Sequence, residues 1–181
     1  MLGNFISGGA GGSGGTSSSS GWKTVTTTTI TAATDTITFS GLDLLTDQIY
    51  KIFVNAKCSL GSTQIGLYYN DDTTNANYQG QYLFWQGAGA PGAFAFNTAE
   101  IMECPDADGT VIGEITIMQK NFPQDYPRAI CHMNYDYTGT VAAQTNHTKW
   151  TNTANVTSIK IKTFAGQQFA VGSRFILQKK I

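Results

Sequence analysis

Residues 49–59, IYKIFVNAKCS, put Tyr50, Ile52, Val54, Ala56 and Cys58 at every second position, with Lys51, Asn55 and Lys57 between them. A period of two sends the first set to one face of an extended chain and the second set to the other, so this segment has to be a strand half-buried against a core. The same period recurs. Ile37 and Phe39 share a face in 36–40, Ile65, Leu67 and Tyr69 in 64–69, and Ile115 and Ile117 in 111–119. In 129–137, Cys131, Met133, Tyr135 and Tyr137 alternate with His132, Asn134 and Asp136. Residues 22–31 are Thr-rich and β-branched, 78–85 aromatic, and 93–96 and 100–104 short and strand-like. No window keeps a helical period beyond about two turns. About eight to ten strands at this spacing predict an all-β fold, an antiparallel jelly-roll-like sandwich.

The chain of 181 residues has room for one substantial core. We expect two parts, an arm at 1–21 and a β-sandwich domain at 22–181. The arm, MLGNFISGGAGGSGGTSSSSG, is dominated by Gly and Ser and cannot bury enough apolar surface to fold alone. Leu2, Phe5 and Ile6 at its tip have the character of an anchoring peptide; the alternative is a tail whose apolar residues are incidental. No Lys or Arg precedes Lys23, unlike the basic arms that neutralise nucleic acid.

Charged residues make up 13% of the chain and the net charge is −1. A typical chain has about 25%. With no basic field, nucleic acid and anionic membranes are excluded as expected partners. Apolar runs fall short of the ~18 residues of a membrane span, and the N-terminus lacks a signal-peptide pattern, so the expectation is a soluble protein made in a cytoplasm.

Chemistry-bearing motifs are sparse. Cys58, Cys104 and Cys131 are widely spaced and read as buried structural thiols, neither a zinc site nor a disulfide framework. His132 and His147 are the only histidines, and no Ser or Cys lies in a nucleophile elbow. Glu100, Glu103 and Glu114 offer paired carboxylates on paper, but alternation assigns them to solvent-facing positions. We therefore expect no enzyme, no cofactor and no metal. The groups around Asn70, Asp71, Asp72 and Asn75, and around Asp106, Asp108 and Gly109, carry oxygen ligands suited to Ca²⁺ but fit Asx-rich turns better. Aromatic side chains beside Asn and Asp suit sugar recognition, and the loops at 70–77 and 121–128 are where exposed ones are expected. The candidate recognition residues are Asp71, Asp72, Asn75, Tyr78, Trp85 and Tyr126.

The last 31 residues before Ile181 read as a closing hairpin, with Trp150, Thr153, Val156, Thr157, Ser158, Ile159 and Ile161 followed by Phe169, Gly172, Ser173, Arg174, Phe175 and Leu177. This pattern, a Trp introducing a "T..ITSI.I" strand and then "F..GSRF.L", resembles the end of a jelly-roll domain of tailed-bacteriophage fibre and surface proteins. Gln178 and Lys179 depart from the aromatic and small residues more common there. The resemblance extends loosely to 22–181. It implies a virion structural protein of the tail-fibre, head-fibre or capsid-decoration type, trimeric, bound to other virion proteins and located in the virion. On that basis the expected function is non-enzymatic display on the particle surface through the arm. The alternative is a fibre-tip module that recognises a host surface glycan. In either case Gly172 is expected to bend the chain, Phe175 and Leu177 to fill the core, and Arg174 to face the other way.

Overall fold

A computed structural model describes residues 21–59, 63–86, 89–104, 109–120, 125–137, 140–164 and 166–181. The expectations for Leu2, Phe5 and Ile6, and for Asp106 and Asp108, fall outside these residues. The strands in chain order are β1 (Trp22–Thr29), β2 (Thr36–Ser40), β3 (Ile49–Lys57), β4 (Thr63–Tyr69), β5 (Tyr78–Gln86) and β6 (Gly92–Phe96). They continue with β7 (Glu100–Cys104), β8 (Thr110–Met118), β9 (Arg128–Tyr137), β10 (Thr140–Trp150), β11 (Ser158–Thr163) and β12 (Arg174–Lys180). One short helix, α1 (Leu44–Asp47), is capped by the Asp43 carboxylate, which accepts from Thr46 N.

Two antiparallel sheets form the sandwich. Their orders are β1-β12-β3-β8-β9-β10-β5-β6 and β2-β11-β4-β7. If β5, β6, β9 and β10 are set aside, the remaining eight strands follow the jelly-roll order, four per sheet. The β5–β6 hairpin and the β9–β10 pair are insertions that lengthen one sheet only. This asymmetry positions the candidate site, because the four-stranded sheet cannot cover an eight-stranded one.

The alternation read from the sequence sets the core. Tyr50, Ile52, Val54, Ala56 and Cys58 are all buried, facing Ile37, Phe39, Ile65, Leu67, Ile159 and Ile161 of the opposing sheet. Each Val, Ile, Leu or Phe among them contributes about 1.5–3 kcal/mol relative to exposure. Phe175 and Leu177 are fully buried while Arg174 is exposed. Gly172 has φ +91°, a conformation that L side chains resist, and it aligns the chain so that Ser173 can dock. There Ser173 Oγ accepts from Lys57 N at 3.1 Å, and Ile30 N donates to Ser173 O at 2.8 Å.

Two expectations are corrected, and one strand lies outside every sequence expectation. The closing segment is not a hairpin: β11 pairs with β2 and β4, whereas β12 pairs with β1 and β3 in the other sheet. Both strands show one apolar face to the same core, and alternation cannot distinguish neighbours in one sheet from partners across two. Strand β10, 11 residues long, carries no sequence signal because its core-facing positions are Ala142, Gln144, Asn146, Thr148 and Trp150. Finally, Cys58 and Cys104 form a disulfide, with Cα atoms 6.3 Å apart and 46 positions of separation, leaving Cys131 as the buried free thiol. The bond fastens the end of β3 to the end of β7 across the sandwich. The spacing along the chain hides a contact that exists only once the sheets stack.

Candidate functional site

The loop between β4 and β5 is a fastened corner. Asn70 and Asp71 have φ of 50° and 60°, the left-handed region that Asn and Asp tolerate best. Asn70 Oδ1 accepts from Thr157 N and Ser158 N at 2.8 and 3.2 Å, and its amide donates to Asn155 O at 2.8 Å. Asp72 accepts from Trp150 Nε1 at 2.7 Å, from Asn77 Nδ2 at 2.8 Å and from Thr74 N at 3.0 Å. Burial pushes the Asp72 carboxyl upward, but these donors outweigh it and hold it below its ordinary value.

The candidate recognition residues of this loop therefore separate. Asp72 is tied to Trp150. Tyr78 is fully buried, donating its hydroxyl to Asp72 O and accepting from Tyr69 N, so it packs the core and presents no surface. Asp71 is exposed and paired with Lys160 at 2.7 Å, and Asn75 is exposed in a single 3₁₀ turn, Asn75–Asn77.

Cross-strand register orders the outer face of the larger sheet into rows. One row runs Met118, Arg128, Lys149, Gln79, and the next Thr116, Ile130, His147, Gln81. Further along come Glu114, His132, Thr145, Leu83, and then Ile112, Asn134, Ala143, Trp85. The first row, with Ile130, His147 and Gln81 of the second, borders a cavity of about 470 Å³. Arg128 and Lys149 stand directly opposite each other, and no carboxylate among the described residues pairs with either. Lys149 Nζ also lies 5.1 Å from the centre of the half-buried Tyr126 ring. Trp85, 42% exposed, stands six residues along β5 from Gln79, about 20 Å away at strand rise. The structure thus sets Tyr126 beside the cavity and Trp85 at the far end of the same face.

The inner face of β5–β6 is a second distinct surface. Tyr82, Phe84, Phe94 and Phe96 form an aromatic group with ring centres 5.2–6.1 Å apart. The smaller sheet ends at β7, which approaches β9 and β10 but pairs with neither, so these rings stay partly uncovered and Phe94 is 51% exposed. Leu83 and Trp85 are exposed on the hairpin's other side. Strand β6, GAFAF, ends the sheet and carries no charge or Pro along its edge.

Between these surfaces lies a polar interior. Glu100, assigned to solvent by alternation, is buried; a register shift between β4 and β7 at Ile65/Gly66 breaks the pattern there. Burial, followed by the neighbouring Glu103, pushes its carboxyl up to about 7. Tyr135 donates to Glu103 at 3.3 Å, whereas Glu114 pairs with Lys51 at 2.7 Å on the outer face. None of the side-chain amide atoms of Gln144 and Asn146 meets a hydrogen-bond partner among the described residues. Burial also raises the Cys131 thiol, with a smaller push from Glu114. His132 and His147 share the outer face, and His132 Nδ1 lies 3.1 Å from Thr145 Oγ1.

Sequence reasoning missed Arg128, His147, Lys149, Gln79 and Gln81 as a group. They lie on three strands, one of them the unsignalled β10, so no linear motif joins them. Compared with protein-family models and with curated protein sequences, the chain matches none.

Proposed function

We propose that the chain is a non-enzymatic virion structural protein of the tailed-bacteriophage type, a jelly-roll body displayed on the particle and tethered through the segment before Trp22. The observation that carries this reading is the uncovered β5–β6 hairpin. A partly exposed cluster of four aromatic rings, backed by Leu83 and Trp85 and ending in an uncharged edge strand, has the character of an assembly surface. A second copy of the chain is its occupant, since an uncharged apolar edge offers nothing for a charged partner to complement. The trimer implied by the family resemblance is the expected product. The Cys58–Cys104 bond suits this role, because a particle surface, unlike a cytoplasm, preserves disulfides.

Light scattering on the full chain tests the assembly. Wild type should form a defined oligomer. Ala95→Lys, which puts a charge on the exposed edge, and Phe94→Ser should give folded monomers. A monomeric wild type over the accessible concentration range overturns the reading.

A second reading, recognition of a host surface glycan, is favoured by the outer-face cavity, which combines amides, cations and apolar side chains.

A further inference from the structure

We infer that the outer-face cavity binds a carboxylate-bearing saccharide, with Arg128 and Lys149 engaging the carboxylate and Gln79, Gln81 and His147 meeting ring hydroxyls. The inference rests on the glycan-recognition reading above.

The first argument is electrostatic. Like charges directly opposite in an antiparallel pair repel. Four other lysines stand beside acids: Lys51 with Glu114 at 2.7 Å, Lys160 with Asp71 at 2.7 Å, Lys162 with Asp35 at 3.8 Å and Lys179 with Asp47 at 2.8 Å. Arg128 and Lys149 have no such neighbour among the described residues, although they face each other across β9 and β10. An anionic ligand relieves that local concentration of positive charge. The planar guanidinium of an arginine matches a carboxylate with two parallel hydrogen bonds.

The remaining lining narrows the ligand. Gln79 and Gln81 supply both donors and acceptors, which suits hydroxyl groups; a phosphate needs donors alone. Met118 and Ile130 give an apolar surface for the CH face of a sugar ring. A volume of about 470 Å³ lies within the usual range for small-ligand sites and does not describe an extended basic track. A polynucleotide would need such a track with exposed rings along it.

The test is calorimetric titration of the full chain with oligogalacturonate, with its methyl-esterified neutral counterpart, with inorganic phosphate and with single-stranded oligothymidylate. The acidic saccharide should bind saturably and the ester at least about tenfold more weakly, the scale of one charge-assisted hydrogen bond. Arg128→Gln and Lys149→Gln should each weaken the acidic saccharide to a similar degree while leaving the thermal midpoint unchanged or higher, since the repulsion is removed. Lys160→Gln, a loss of one charge on the other sheet, should change nothing. Equal binding of acid and ester, unaffected by the cavity variants, overturns the carboxylate assignment and leaves glycan recognition standing. No saturable binding of either saccharide overturns both. Tighter binding of phosphate or oligothymidylate, or an equal loss in Lys160→Gln, also overturns the assignment.

Discussion

Replacing both disulfide cysteines, Cys58→Ala with Cys104→Ala, should cost this domain a large share of its stability. The bond closes a loop with a separation of 46 residues. Releasing that constraint enlarges the unfolded ensemble by an entropy that corresponds to about 4 kcal/mol at room temperature. Both residues are fully buried where β3 and β7 meet across the sandwich, so the loss of two sulfur atoms adds a small packing term in the same direction. A domain with about 5–15 kcal/mol in hand stays folded, but with a much reduced margin. Urea titration is the suitable assay. With slopes of about 1–3 kcal/mol per molar, the midpoint should fall by roughly 2 M. Adding reductant to wild type should reproduce the shift, and alkylation of the unfolded, unreduced protein should label Cys131 and neither of the other two. A change below about 1 kcal/mol would refute the loop-entropy reasoning, and labelling of all three thiols would refute the bond.

Two further perturbations probe the polar interior and the corner. Because the Glu100 carboxyl is raised in the fold to about 7, the native state holds its proton where the unfolded chain has released it; stability is therefore fullest below the unfolded value of 4.5 and falls as pH rises through about 7. The loss is at most about 3 kcal/mol, less where water reaches the group. Glu100→Gln should flatten this dependence and raise the midpoint at about pH 8, as read by thermal melts across pH; a parallel decline in the variant would refute it. Asp72→Ala strands Trp150 Nε1–H inside the corner and should cost about 2–4 kcal/mol, with a change in tryptophan fluorescence. Asp72→Asn, which keeps an acceptor oxygen, should cost less. An Ala variant as stable as wild type would show that the corner is held elsewhere.

The parts of the fold legible in the sequence are those where burial and alternation coincide. Residues 49–59 and 129–137 declare their inner faces outright, and Phe175 and Leu177 declare theirs. Legibility failed where the core face is polar or the register slips. Gln144, Asn146 and Thr148 look like loop residues in a list, yet they point inward along β10. Glu100 looks like a surface residue until the shift beside Ile65 turns it in. Tyr78 looks like an exposed ring at a loop end, but Tyr68, Tyr69 and Asp72 enclose it.

The sequence alone determined that this protein is all-β and which faces of most strands are apolar, because a period of two is a local property that survives without knowledge of partners. The tertiary structure decided everything that depends on which strands become neighbours. It sent β11 and β12 to different sheets, joined Cys58 to Cys104, and set Arg128 against Lys149 beside Gln79. It also left β5 and β6 beyond the reach of the smaller sheet. Pairing between distant segments is fixed by stacking and register, which a linear pattern does not encode, and the candidate surfaces of this protein arise from that pairing.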